Sequence, residues 1–176
     1  MKATLLAVAL AAAALPALAQ HTHVHGGQAP LSPYAGMQDR AIKALSAQQL
    51  DELRAGKGMG YAMPAELNGY PGPSHTLQLA EALGLSESQE RETRALFEQM
   101  QAEAIEAGRH VIESETALDR LFRDGTAESA SVQAATAEAA RAQGELRAVH
   151  LRYHLRMREV LTPAQTEKYA ALRGYR

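Results

Sequence analysis

LSESQERETRALFEQMQAEAIEAGRHVIESETALDRLFRDG, Leu85 to Gly125, is the stretch that decides the fold. It opens as a helix start: Ser86 can cap the first free N–H groups and Gln89 can reach back to the cap's own N–H. Leu85, just before the cap, can close a hydrophobic staple on the first turn. Phe97, Met100, Ala104, Ala107, Val111, Leu118 and Leu121 then recur at alternating spacings of three and four, with Ser114 as the one polar member. That is a heptad seam. Ile105, Ile112 and Phe122 widen it, and Asp124-Gly125 is a stop. The pattern predicts a helix from Ser86 to about Arg123.

A second arm begins between Thr126 and Ser131 and runs to about Val160. Its seam is Val132, Ala135, Ala139, Ala142, Leu146, Val149, Tyr153 and Val160, with Arg156 out of place. At about 1.5 Å per residue each arm is on the order of 50 Å long, and the short connection forces them antiparallel. Two helices cannot hide this much apolar surface. Either the segments at 37–83 fold back over the hairpin or a second chain covers it, and both are expected. The fold class is all-α: a long antiparallel helical hairpin with short flanking helices, forming a homodimer.

The cap pattern of Leu85 to Gln89 recurs at Leu45–Gln49 and at Leu161–Gln165, where Pro163 takes the first helical position. Outside the hairpin the expected order is a helix over Met37 to Leu45 and a second over Ala47 to Arg54, ending at Gly56. A Gly-, Pro- and Met-rich loop to Pro73 follows, around a turn near Pro64–Leu67. Ser74 is expected to cap a helix that Gly84 closes after Leu83.

The first 19 residues read as a cleavable signal peptide, with Lys2, an apolar run too short to span a bilayer, and Ala17 and Ala19 as an A-x-A site. Residues 20–37 form a disordered tail holding His21, His23 and His25, 38–73 the short helices and loop, and 74–176 the hairpin domain. Without Lys2 there are 17 basic and 20 acidic residues, a balance that points away from nucleic acid. Cysteine is absent, which removes disulfides and thiolate chemistry. No later stretch is apolar enough to cross a membrane. Charge is divided: Glu81 to Asp124 carries eleven acidic and five basic residues, Arg141 to Arg176 eight basic and three acidic. Opposite arms attract, and a basic face can remain on the last helix.

Neither a nucleophile elbow nor a phosphate loop is present, so the chain is expected not to be an enzyme. Histidine carries the chemistry instead. His150 and His154 share one helix face, the spacing that lets two imidazoles hold one ion, and Met157 on the same stripe offers a soft third ligand. The alternating His21, His23 and His25 give a second, flexible capture point for Zn, Cu or Ni. The competing reading of the His150 pair is an edge of the packed face beside Val149 and Tyr153. His110 lies between Glu106 and Glu113. A hairpin turning near Gly125 sets His150 opposite Glu98–Glu103, which leaves His110 on the order of 13 Å away.

The copies at 85–89 and 161–165, bracketing a hairpin in an exported, cysteine-free chain, resemble the Spy/CpxP family of periplasmic proteins and its paired LTxxQ motif. The chain is also similar to the related heavy-metal-resistance group that includes ZraP and CnrX. The resemblance covers about residues 75–176. It implies a curved antiparallel dimer acting as an ATP-independent chaperone for unfolded envelope proteins, as an inhibitor of a membrane stress sensor, or as a metal-binding regulator in the periplasm. Leu85, Ser86, Gln89, Leu161, Thr162 and Gln165 would then be structural positions, and His150 and His154 the counterparts of the helix-borne histidines of metal-sensing relatives. The leading expectation is the chaperone, which needs no cofactor, and the alternative is a Zn, Cu or Ni sensor or resistance protein.

Overall fold

The computed structural model describes residues 32–175. The predicted signal peptide and the tail histidines lie outside them. From Gly36 onward the described residues form one compact unit. Of the preceding unit, residues 32–35 form a turn closed by the Ala35 N–H on the Ser32 carbonyl at 2.9 Å. The described residues form seven α-helices and no strand: α1 Ala47–Arg54, α2 Met63–Glu66, α3 Pro73–Gln78, α4 Ala80–Leu83, α5 Glu87–Arg123, α6 Ser129–Val160 and α7 Pro163–Leu172. Helices α5 and α6 are the arms of the hairpin, turning through Asp124 and Gly125.

Three helix starts fall where the cap pattern puts them. Ser46, Ser86 and Thr162 each accept from the N–H of the Gln three residues on, and each Gln side chain accepts from the cap's own N–H. Two starts differ. Helix α3 is capped by Gly72 with Pro73 at its first position, not by Ser74, because proline gives up only a donor that has no partner there. Over 37–45 there is only a 3₁₀ turn, Met37–Asp39. The Lys43 N–H goes to the Asp119 carboxylate at 3.1 Å, and Ile42 and Leu45 are buried in the core.

The core lies between the hairpin and α1. Leu53 of α1 is fully buried against α5, where Gly108 makes room. A Cβ on Gly108 would stand 2.5 Å from the Leu53 carbonyl oxygen, so any side chain there would push α1 off the hairpin. Along α5 the buried positions include Leu96, Met100, Ala104, Gly108 and Val111, with Phe97 and Ala107 only half-buried. Along α6 the stripe runs Ala139, Ala142, Leu146, Val149, His150, Tyr153, His154 and Met157. A straight 3.6-residue helix drifts from a strict heptad, which is why Met157 is buried while Arg156 reaches outward to Gln99 at 3.0 Å.

Two cross-connections hold the arms in register. Tyr153 donates its hydroxyl to Glu103 Oε1 at 2.7 Å, and Arg152 pairs with the same carboxylate. The hydroxyl and the guanidinium together keep the Glu103 carboxyl below its ordinary range. At the open end, Gln89 Nε2 donates to Gln165 Oε1 at 2.8 Å and Gln165 Nε2 to Gln89 Oε1 at 3.0 Å, a reciprocal amide pair. Gln89 Nε2 also reaches the Val160 carbonyl at 2.9 Å. The two framing motifs thus cap their own helices and pin α7 to the start of α5. Gln49, in the first copy, is exposed and serves its own cap.

Candidate functional site

Histidines 150 and 154 stand on the face of α6 that α2, α3 and the 56–72 loop cover. The six residues from Pro71 to Thr76 include four that are buried, which brings this loop down onto the imidazoles. His154 Nδ1 lies 2.6 Å from the Tyr70 carbonyl, so it carries the proton and leaves Nε2 as the lone-pair nitrogen. Tyr70 is itself held, with the Arg158 guanidinium 4.8 Å from its ring centre and bonded to the Gly69 carbonyl at 3.3 Å. On His150, Nδ1 is the nitrogen nearest Gly58, and Nε2 is buried without a hydrogen-bond partner. Tyr61 lies nearly parallel to the His150 ring, centres 6.4 Å apart. Burial, and then the neighbouring His154, hold His150 below the ordinary imidazole value, against a smaller opposing effect of the Lys57 backbone. His150 is therefore neutral near pH 7.

Across from them sits Glu66, buried at the end of α2. Its Oε1 is crowded. Tyr169 donates to it at 2.5 Å and Tyr175 at 3.1 Å, with His75 Nδ1 at 3.4 Å and Arg173 Nε at 3.5 Å. Burial and this carboxylate push the Tyr169 hydroxyl well up, so it stays a donor. Glu66 Oε2, by contrast, is buried with no hydrogen-bond partner, 3.7 Å from His154 Nδ1. Orphaned buried acceptors on both His150 and Glu66 are uncommon and need a physical reason.

These groups face one cleft of about 560 Å³ lined also by Met59, Met63, Met100, Lys57, Gly72 and Tyr175. Gly72 is the close approach that shapes it. A Cβ there would stand 2.8 Å from both Cε1 and Nε2 of His154, covering the one nitrogen that is left to act. A second hollow of about 430 Å³, between Gly69, Arg158 and Thr166, is lined by no imidazole or thioether.

Lone pairs of neutral imidazole, a carboxylate oxygen and thioether sulfur suit a transition-metal ion and little else. The orphaned Nε2 of His150 and Oε2 of Glu66 fit such a guest. Among the described residues, however, no three His, Asp or Glu side chains stand close enough to hold an ion as they are. His75, Glu52 and the free Oε2 of Glu66 share the cleft, so a third donor needs one of these side chains to shift.

Of the residues singled out in the sequence, His150 and His154 share the cleft. Met157 is fully buried in the apolar core and does not line it. His21, His23 and His25 lie outside the described residues. His110 is exposed on the outer face of α5, 3.3 Å from Glu106 and 3.7 Å from Glu113 and away from the cleft. Glu66, His75, Met59 and Met63 were not singled out. They come from an aperiodic stretch, and the one available signal was an acidic residue and a histidine nine positions apart within a Met-, Gly- and Pro-rich loop.

A family model described as heavy-metal resistance matches residues 58–168, from the loop over the histidines through the framing motifs. Searches of curated proteins and of solved structures give no match. No described helix is long and apolar enough to cross a membrane.

Proposed function

Because the chain belongs to the heavy-metal-resistance family, we propose that it is a periplasmic protein that captures a transition-metal ion in the cleft between α6 and the 56–72 loop. His150 and His154 supply the first donors through Nε2, and Glu66 adds a carboxylate oxygen. The single observation that carries this is the imidazole pair, His154 fixed by its Nδ1 on a backbone carbonyl and His150 with an unpartnered Nε2, beside the orphaned oxygen of Glu66. A backbone partner of that kind fixes the tautomer and aim of a ligand imidazole. Bound metal supplies charge that offsets the buried carboxylate. The chain's own part is to keep His150 neutral, aim Nε2 of His154, and hold Glu66 near. The work is sequestration or sensing, not catalysis, and the tail histidines 21, 23 and 25 offer a second capture point.

Titration calorimetry with Zn, Ni and Cu on the whole chain tests this, alongside His150→Gln/His154→Gln and a variant with the three tail histidines changed to alanine. The cleft variant is expected to lose one tight site that the tail variant keeps. Binding unaffected by the cleft change would refute the reading.

A second reading, an ATP-independent chaperone working as a homodimer, draws on Ile105, Phe122 and Leu155, which are 41%, 61% and 57% exposed along the hairpin. These side chains are spread over both arms, so they favour it less than the cleft favours metal. Suppression of client aggregation, followed by light scattering at equal molar ratio, decides it. An absence of suppression there removes it.

A further inference from the structure

The cleft is lined by His75, His150, His154, Glu52 and Glu66, yet no three of these stand together to hold an ion, and sulfur is abundant beside them. Three of the chain's six methionines, Met59, Met63 and Met100, line it together with His150 and His154. Packing accounts for Met100, which is buried in the core. It does not account for Met63, 57% exposed at the cleft, since a methionine that fills a core gap is not left in solvent. Met59 is half-buried against the core, and its backbone sets it apart. With φ 45° it is the one non-glycine among the described residues in the left-handed region. Strain of that kind persists where the surroundings enforce it, and it clusters at binding sites. Gly58 and Gly60 flank Met59, which lines the same cleft as His150 and His154.

Donor chemistry then selects the guest. A borderline dication such as zinc is held by about four nitrogen, oxygen or thiolate donors. The chain has no cysteine, and no described trio of His, Asp or Glu is assembled. Thioether sulfur is a soft, neutral donor that favours soft cations over hard or borderline ones. Resting on the metal-capture reading above, we propose that the cleft takes a soft monovalent cation, Cu(I) or Ag(I), through the thioethers of Met59 and Met63 and an Nε2 of His150 or His154. Glu66 Oε1 then stays with Tyr169 and Tyr175, while Oε2 supplies the one negative charge that a monovalent cation needs.

Silver is the probe, in chloride-free buffer, on the whole chain with His21, His23 and His25 changed to alanine. Zn(II) is titrated in parallel, and the methionine methyl groups are followed by ¹H–¹³C spectra. One equivalent of Ag(I) is expected to bind and to shift the Met59 and Met63 methyl signals. Met59→Leu/Met63→Leu should weaken Ag(I) by about tenfold or more, the loss typical of a disturbed ligand shell, while Zn(II) affinity stays the same and circular dichroism is unchanged. Silver affinity unmoved by the double substitution, with still methyl signals and a zinc site that needs His150 and His154, would overturn the soft-cation assignment alone. No ion bound in a His150- and His154-dependent way would overturn both it and the capture reading.

Discussion

Replacing Gln165 with alanine separates two roles that one motif plays in three places. The substitution removes two amide–amide bonds to Gln89, at 2.8 and 3.0 Å, the bonds from the Thr162 N–H at 3.0 Å and hydroxyl at 3.1 Å, and a long one to the Gly84 carbonyl at 3.4 Å. Each net hydrogen bond is worth about 0.5–1.5 kcal/mol. Gln89 keeps the Val160 carbonyl, and Thr162 keeps its own bond to the helix start. The expected loss is therefore about 2–3 kcal/mol. Gln49→Ala removes one exposed cap bond at 2.9 Å and should cost about 1 kcal/mol or less. Urea unfolding measures both. Combining Gln89→Ala with Gln165→Ala should show a coupling of about 1–2 kcal/mol, while Gln49→Ala with Gln165→Ala should be additive within about 0.3 kcal/mol. Equal costs for Gln49→Ala and Gln165→Ala, or no coupling between Gln89 and Gln165, would refute the claim that the framing motifs clamp α7 to α5.

Gly72→Ala puts a methyl 2.8 Å from His154 Nε2; it should cost about 1–3 kcal/mol in thermal unfolding, as overpacking does, and should weaken metal binding. Leu53→Ala empties a fully buried position on α1 and should cost about 2–5 kcal/mol by urea titration. His150 has a depressed folded pKa, so the stability it contributes is present above its unfolded value of about 6.5 and lost as pH falls through the folded value. Acid unfolding curves of the wild type and His150→Gln should therefore converge at low pH, because the variant lacks that titration.

The sequence made the frame legible because its helix starts are chemical, not statistical. Ser86 with Gln89 and Thr162 with Gln165 announce α5 and α7 within a residue, and alternating apolar spacing carries each arm to its end. Where side-chain chemistry was silent, tertiary contacts decided. Asp119 captures the Lys43 N–H and leaves 37–45 without a long helix, and Pro73 shifts the start of α3. The same division holds at the cleft. His150 and His154 were readable because four residues make one turn of a helix already located. Glu66, Met59 and Met63 were not, because their convergence depends on how an aperiodic loop settles on that helix. Met157 has the right spacing to join them but lies beneath the core.

The most direct test of metal capture is the imidazole ¹H–¹⁵N spectrum of the whole chain before and after one equivalent of a diamagnetic ion, Zn(II) or Ag(I). Nε2 of His150 or His154, or of both, is expected to move to a metal-bound shift while His154 Nδ1 remains protonated against the Tyr70 carbonyl. Shifts confined to the tail histidines, with His150 and His154 unmoved under either ion, would contradict it.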